Sequence, residues 1–255
     1  MKNLSTTSEQ LASLLGAVHE DPTHTIAVPL LLEPIDAEQA YATQRQVLAL
    51  AKEQVGGWKV GAKSATGVIQ GAPLPRRGVF PSAAVLPRNR FSAFGVELEL
   101  LFTLGRDFLP TDSMATEHEV LAAIDAMGVS VEIVSSRLAG WPDVPKLMQL
   151  ADFQNHGALI VGDLVAYDPD FDFLQPMASL TFNGTEVFNS TGVNPAGDPR
   201  RLLHWVVRHS QEQGMPLRAG TVITTGSYTG MFFPEAKGVL RGQIQHLPPI
   251  TFEII

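Results

Sequence analysis

Residues 95–105, GVELELLFTLG, set two carboxylates two positions apart inside a run of Val, Leu and Phe. Alternation along a strand sends Glu97 and Glu99 to the same face. Taking an ionised carboxylate out of water costs on the order of several kcal/mol even after relaxation, and a second beside it adds repulsion. The fold must therefore leave that face wet or set positive charge against it. A second strand-like segment, VSVEIVSS at 129–136, carries another acid, Glu132, in equally apolar company.

Hard divalent cations take oxygen ligands in near-octahedral geometry, and magnesium leans on a few carboxylates while keeping waters. Glu97 and Glu99 from one strand and Glu132 from a neighbour would supply three such ligands and answer the charge problem. Spacing alone leaves the second reading open, because an E-x-E strand is also what a solvated outer face looks like. Nothing local separates Mg2+ from Mn2+.

Charge excludes some classes. The net charge of −8 over 255 residues opposes a nucleic-acid backbone. The absence of cysteine removes disulfides, thiolate metal sites and cysteine nucleophiles. The N-terminal segment lacks signal-peptide features, and no apolar run reaches membrane-spanning length. A cytoplasmic protein with no membrane partner is expected.

Along the chain, Thr7 with Gln10 predicts a capped first helix, and Asp36 with Gln39 a second that Gly56 and Gly57 end. WKVGAK at 58–63 reads as a strand, residues 71–90 as a Pro- and Arg-rich loop, and ATEHEVLAAIDAM at 115–127 as a helix. Strands follow at 157–163, 221–226, 238–247 and 251–255, with a hairpin across Asn183-Gly184 and a helix opened by Asp198-Pro199. The order predicts an α+β fold with a mixed sheet in a single domain, 1–255, whose N-terminal helical section covers 1–57. Lys59 sits in GWKVG, where small neighbours let a ligand approach, although an exposed strand-end lysine reads the same way. TTGSYTG at 224–230 is either an anion-holding loop of backbone N–H groups or a simple turn. No nucleophile elbow, zincin or phosphate-loop motif is present.

The ordered segments AYATQ (40–44), GWKVGAKS (57–64), VELEL (96–100), VSVEIVSSR (129–137), LADFQNHG (150–157) and TTGSYTG resemble the 2-keto-4-pentenoate hydratase and 4-oxalocrotonate decarboxylase group of the fumarylacetoacetate hydrolase superfamily. The resemblance implies a mixed β-roll over 58–255 and Mg2+ or Mn2+ on Glu97, Glu99 and Glu132. It places Lys59 and Asp152 as catalytic residues that handle protons. Thr225, Gly226 and Ser227 then border the substrate, as does Ser64. It implies a small-molecule 2-oxo acid substrate in aromatic catabolism, a homo-oligomer and a pathway partner enzyme.

Where hydratases of the group carry P-D-[FY]-G after the lysine strand, this chain reads PRRG at 75–78. An arginine cannot replace a carboxylate as a base at neutral pH. Arg76 or Arg77 would instead reach a second carboxylate of a longer substrate, unless both are surface loop residues. LADFQNHG is also bulkier than usual there, which brings in His156 as a changed acid–base group. The hydrolytic members' His-Glu lid pair finds no convincing counterpart in His19, Glu20 and His24. The resemblance makes hydration of a 2-hydroxypenta-2,4-dienoate-like acid the expected reaction, while the missing acid argues for a decarboxylase. Decarboxylation of a 2-oxo-enedioate, acylpyruvate hydrolysis and non-catalytic 2-oxo acid binding stand as alternatives.

Overall fold

A computed structural model gives the fold and describes residues 6–20 and 24–255. Two helices open it, α1 (Thr7–Glu20) and α2 (Ala37–Leu50). Thr6, not Thr7, caps α1. Its Oγ1 accepts from the Glu9 N–H at 3.3 Å, and Glu9 Oε2 accepts from the Thr6 N–H at 2.7 Å. Asp36 caps α2 as expected, accepting the Gln39 N–H at 2.9 Å. Leu11 and Leu15 of α1 meet Ala40, Tyr41, Val47 and Leu48 of α2 at helical spacing, with Met148 and Leu150 of α4 (Lys146–Ala151) and Phe153 beside them. This is a satellite core beside the sheets.

The main body is two sheets. The larger has eight strands, ordered β2 (Ile69–Pro75), β1 (Val55–Ala62), β11 (Val222–Ser227), β5 (Gly95–Leu104), β6 (Ile124–Val134), β7 (His156–Val161) and β3 (Val79–Pro81), with β8 (Val165–Ala166) also on β6. The smaller has five, ordered β10 (Thr185–Thr191), β9 (Met177–Phe182), β12 (Gly238–Ile244), β13 (Ile250–Ile254) and β4 (Val85–Leu86). Pairing is mostly antiparallel, with β1 parallel to β11, β7 to β3 and β13 to β4. The sheets close on a core including Val96, Leu98, Val131, Ile133, Leu240 and Phe252. α3 (Glu117–Ala122) and α5 (Arg200–Glu212) complete it. The result is a mixed β-roll rather than a closed barrel, with the helical section at the N-terminus.

Several boundaries differ from the sequence reading. α2 stops at Leu50, and Gly56 and Gly57 belong to β1. Residues 69–75 form β2, whose Pro73 and Pro75 are tolerated because it is the sheet's edge. The helix expected over 115–127 ends at Ala122, and Ile124 to Met127 continue into β6. Such a short apolar run fits either period, and pairing with β5 decides it.

Candidate metal centre and active site

β5 and β6 pair so that Glu97 faces Glu132 directly while Glu99 faces Ser130. One carboxylate oxygen from each of Glu97, Glu99 and Glu132 lies within 4.8 Å of the others. Glu99 and Glu132 are buried. Glu99 is held by three neighbours on β11 and β6. Thr224 Oγ1 donates to its Oε2, the Gly226 N–H adds a bond of 2.9 Å, and Ser130 steadies Thr224 at 2.8 Å. Gly226 has φ +92°, a conformation that glycine adopts without a Cβ penalty, and it is what aims this N–H at Glu99. The register shift between Thr224 and Ser227 marks the same distortion of β11.

Lys59 reaches the group from β1, on the far side of β11. Its Nζ donates to Glu132 Oε1 at 2.6 Å and to the Gln154 carbonyl at 3.1 Å. That carbonyl is presented by a left-handed turn in which Phe153, Gln154 and Asn155 all have positive φ, of 51°, 52° and 61°. His156 Nδ1 is 3.1 Å from the same Glu132 oxygen. Burial also acts on Glu132, but the Lys59 ammonium and His156 outweigh it and hold the carboxyl below its ordinary range. Burial, then the Glu132 charge, pushes Glu97 up to about 7 against the pull of Lys59. Burial and the charges of Glu132 and Glu97 push Glu99 up to about 8, against Thr224 and Lys59.

These carboxylates open into a cavity of ≈ 420 Å³, also lined by Lys59, Lys63, Gln70, Asn194, Gly226 and Ser227, a volume suited to a small organic acid. Burial and mutual repulsion favour the protonated forms of Glu97 and Glu99, and a divalent cation would displace those protons and balance the three carboxylates. All-oxygen donors fit a hard ion such as Mg2+ or Mn2+. Glu97, Glu99 and Glu132 are the residues that would hold it.

The other expected residues divide. Gly226 and Ser227 line the cavity. Thr225 does not, because its Oγ1 donates backward to the Leu100 carbonyl at 2.8 Å and Thr224 takes the place beside Glu99. Ser64 also turns away, while Lys63 faces in. Asp152 is fully buried outside this cavity, where the Ser136 hydroxyl, the Arg137 N–H and the Arg137 guanidinium all donate to it. A carboxylate enclosed in this way anchors the segment after α4 and is not placed to exchange protons with a ligand. Arg76 is exposed and lines neither this cavity nor the smaller one beyond His156. Asn194, unmarked in the sequence, donates to the Thr225 and Gly226 carbonyls at 2.8 and 3.1 Å and so fixes the β11 turn. The Glu20 side chain and residues 21–23 lie outside the described residues. His19 packs edge-on to Phe153.

Residues 52–253 match the fumarylacetoacetate (FAA) hydrolase C-terminal family model. The chain belongs to the fumarylacetoacetate hydrolase family. Among relatives of this family, a 2-keto-4-pentenoate hydratase of Paraburkholderia xenovorans (strain LB400) is 31% identical over 226 residues, covering 85% of this chain and 81% of that protein. A 4-oxalocrotonate decarboxylase of a Pseudomonas species is 28% identical over 161 residues, covering 62% of this chain and 59% of that one. In fold, the chain is similar to the 4-oxalocrotonate decarboxylase from Pseudomonas putida G7 complexed with magnesium and adipate. The TM-score is 0.82 at 19% identity, over 99% of this chain and 100% of that one. Among the described residues, no helix is long and apolar enough to cross a membrane.

Proposed function

We propose that the chain is a divalent-metal-dependent lyase acting on a 2-oxo or 2-hydroxydienoic acid, with hydration of a 2-hydroxypenta-2,4-dienoate-like substrate in aromatic catabolism as its reaction. The observation that carries the reading is the convergence of Glu97, Glu99 and Glu132 with Lys59 in one cavity of small-acid size. The names of relatives matched over four-fifths or more of their length support hydration.

When bound, the metal would supply Lewis-acid stabilisation of negative charge developing on the substrate's 2-oxygen. The protein's own groups supply the rest. Lys59, already hydrogen-bonded to Glu132, adds positive charge beside the reacting end and is the cavity-facing group positioned to give or take a proton. Lys63 and Gln70 line the same cavity and are the groups available to the substrate's tail. Gly226 and Asn194 keep the β11 turn, and through it Glu99, in register.

One observation favours decarboxylation as the second reading. Among the described residues, the cavity's carboxylates are the three candidate metal ligands alone. Asp152 is locked to Arg137, and the PRRG segment contributes no acid. Loss of carbon dioxide needs no carboxylate base, only stabilised charge and a later proton. The purified protein with Mg2+ is to be given 2-hydroxypenta-2,4-dienoate and then 2-oxohex-3-enedioate, with ultraviolet absorbance and carbon dioxide followed together. Loss of the diene without gas supports hydration, and gas from the enedioate supports decarboxylation. Silence on both with magnesium bound overturns the lyase reading.

A further inference from the structure

A second, smaller cavity of ≈ 30 Å³ lies beyond His156, which separates it from Glu132. It is lined by Arg77, Arg90 and Arg137 with His19 and His156, and among the described residues no carboxylate lines it. The Arg137 guanidinium is fully engaged by Asp152 and by the His156 carbonyl. The other two cations are not. Arg77 has a loose pairing of 3.5 Å with Glu53 and donates to the His19 carbonyl at 2.9 Å. Arg90 lies over the rings of Phe80 and Phe91, at 5.4 and 5.9 Å, with no acid in ion-pair range among the described residues.

The imidazoles supply an independent observation. His156 is 2% exposed, and its Nε2 is buried with no hydrogen-bond partner, as is the Nε2 atom of His19. A Cβ on Gly78 would come within 3.3 Å of His156 Nε2, so glycine there keeps the nitrogen open to the cavity. A buried polar nitrogen left unpaired is costly, so this one calls for a hydrogen-bonding partner in the cavity. His156 Nδ1 already faces a carboxylate oxygen and carries the ring proton, so Nε2 presents a lone pair.

We propose that this cavity is a binding site for a small monovalent oxyanion that also carries a hydroxyl, bicarbonate being the simplest. Its charged oxygens take the Arg77 and Arg90 guanidiniums, and its O–H donates to His156 Nε2. Guanidiniums match planar oxyanions through paired N–H donors, and the volume admits little more than a few heavy atoms. The site is distinct from the acid-lined cavity and stands whether or not the lyase reading does.

The test is calorimetric titration of the full chain, without added divalent cation, with sodium bicarbonate at pH 8 and constant ionic strength, alongside sodium formate, which lacks the hydroxyl. Saturable bicarbonate binding at least fivefold tighter than formate is expected. It should weaken at least tenfold in both Arg77→Gln and Arg90→Gln while circular dichroism and the melting temperature in bicarbonate-free buffer stay as in the parent. Arg90 is half-buried and meets no acid among the described residues, so the variant strands no charge and gives up only its contacts with the Phe80 and Phe91 rings. Absence of saturable binding, equal affinity for formate, or affinity unchanged in both variants would overturn the proposal.

Discussion

Two buried ion pairs lie within a few residues of each other in the fold, and their surroundings assign them different work. Lys59–Glu132 opens onto a cavity of ligand size, whereas Asp152–Arg137 is enclosed by backbone and by Ser136. Removing one partner of an enclosed pair strands a charge, at a cost of about 3–5 kcal/mol. Asp152→Asn is therefore expected to lower the urea unfolding midpoint sharply. Lys59→Met also strands a charge, on Glu132, but beside a cavity where a bound cation can replace the ammonium, so its loss of stability should be recovered by added magnesium while turnover stays at least about 10²-fold down. It should also raise magnesium affinity, because a cation competing for Glu132 is gone. Measured together, unfolding curves and magnesium titrations separate an anchor from a site residue. An Asp152→Asn protein of parental stability but without turnover would reverse the assignment.

Among the elements, the turn from α4 into β7 carries the most local tension. Phe153, Gln154 and Asn155 occupy the left-handed region in succession, which Asn tolerates and which costs Phe153 and Gln154 roughly 1–2 kcal/mol each. The Gln154 carbonyl that this turn offers to Lys59 belongs to the backbone, so Gln154→Gly keeps it. That variant is expected to melt at the parental temperature or a few degrees above it with the Lys59 contact intact, and a lower melting temperature would show that the side chain matters more than the turn. Asn155 was the sequence's one sign of this conformation, and Phe153 and Gln154 gave none. The acid triad was legible: alternation put Glu97 and Glu99 together, and an apolar strand made Glu132 conspicuous. Lys59 was legible only as a candidate, since β11 enters between β1 and β5 from far along the chain and local pattern does not report that crossing. β2 was hidden by its prolines, which an edge strand accepts. Asp152 was assigned to proton transfer through a motif match, which fixes a position in the chain and carries no sign of Arg137 closing over the carboxyl.

Across the whole molecule, which carries a net charge of −8, three carboxylates gather within 4.8 Å on β5 and β6 of the larger sheet. In the metal-free protein Glu97 and Glu99 have folded-state pKa values raised from 4.5 to about 7 and about 8. A raised acid contributes stability that is full below its unfolded pKa and lost as pH rises through the folded value. The metal-free melting temperature should thus fall between about pH 4.5 and 8, and the gain from added Mg2+ should grow over the same window. A magnesium-induced shift that shrinks as pH rises would contradict this. Calorimetric titration with Mn2+ at pH 8, comparing the parent with Glu97→Gln, Glu99→Gln and Glu132→Gln, tests the three-carboxylate centre most directly. One ion per chain is predicted, with affinity reduced by at least about tenfold in each variant, about 1.4 kcal/mol per tenfold. Parental affinity in any two of them would contradict the account.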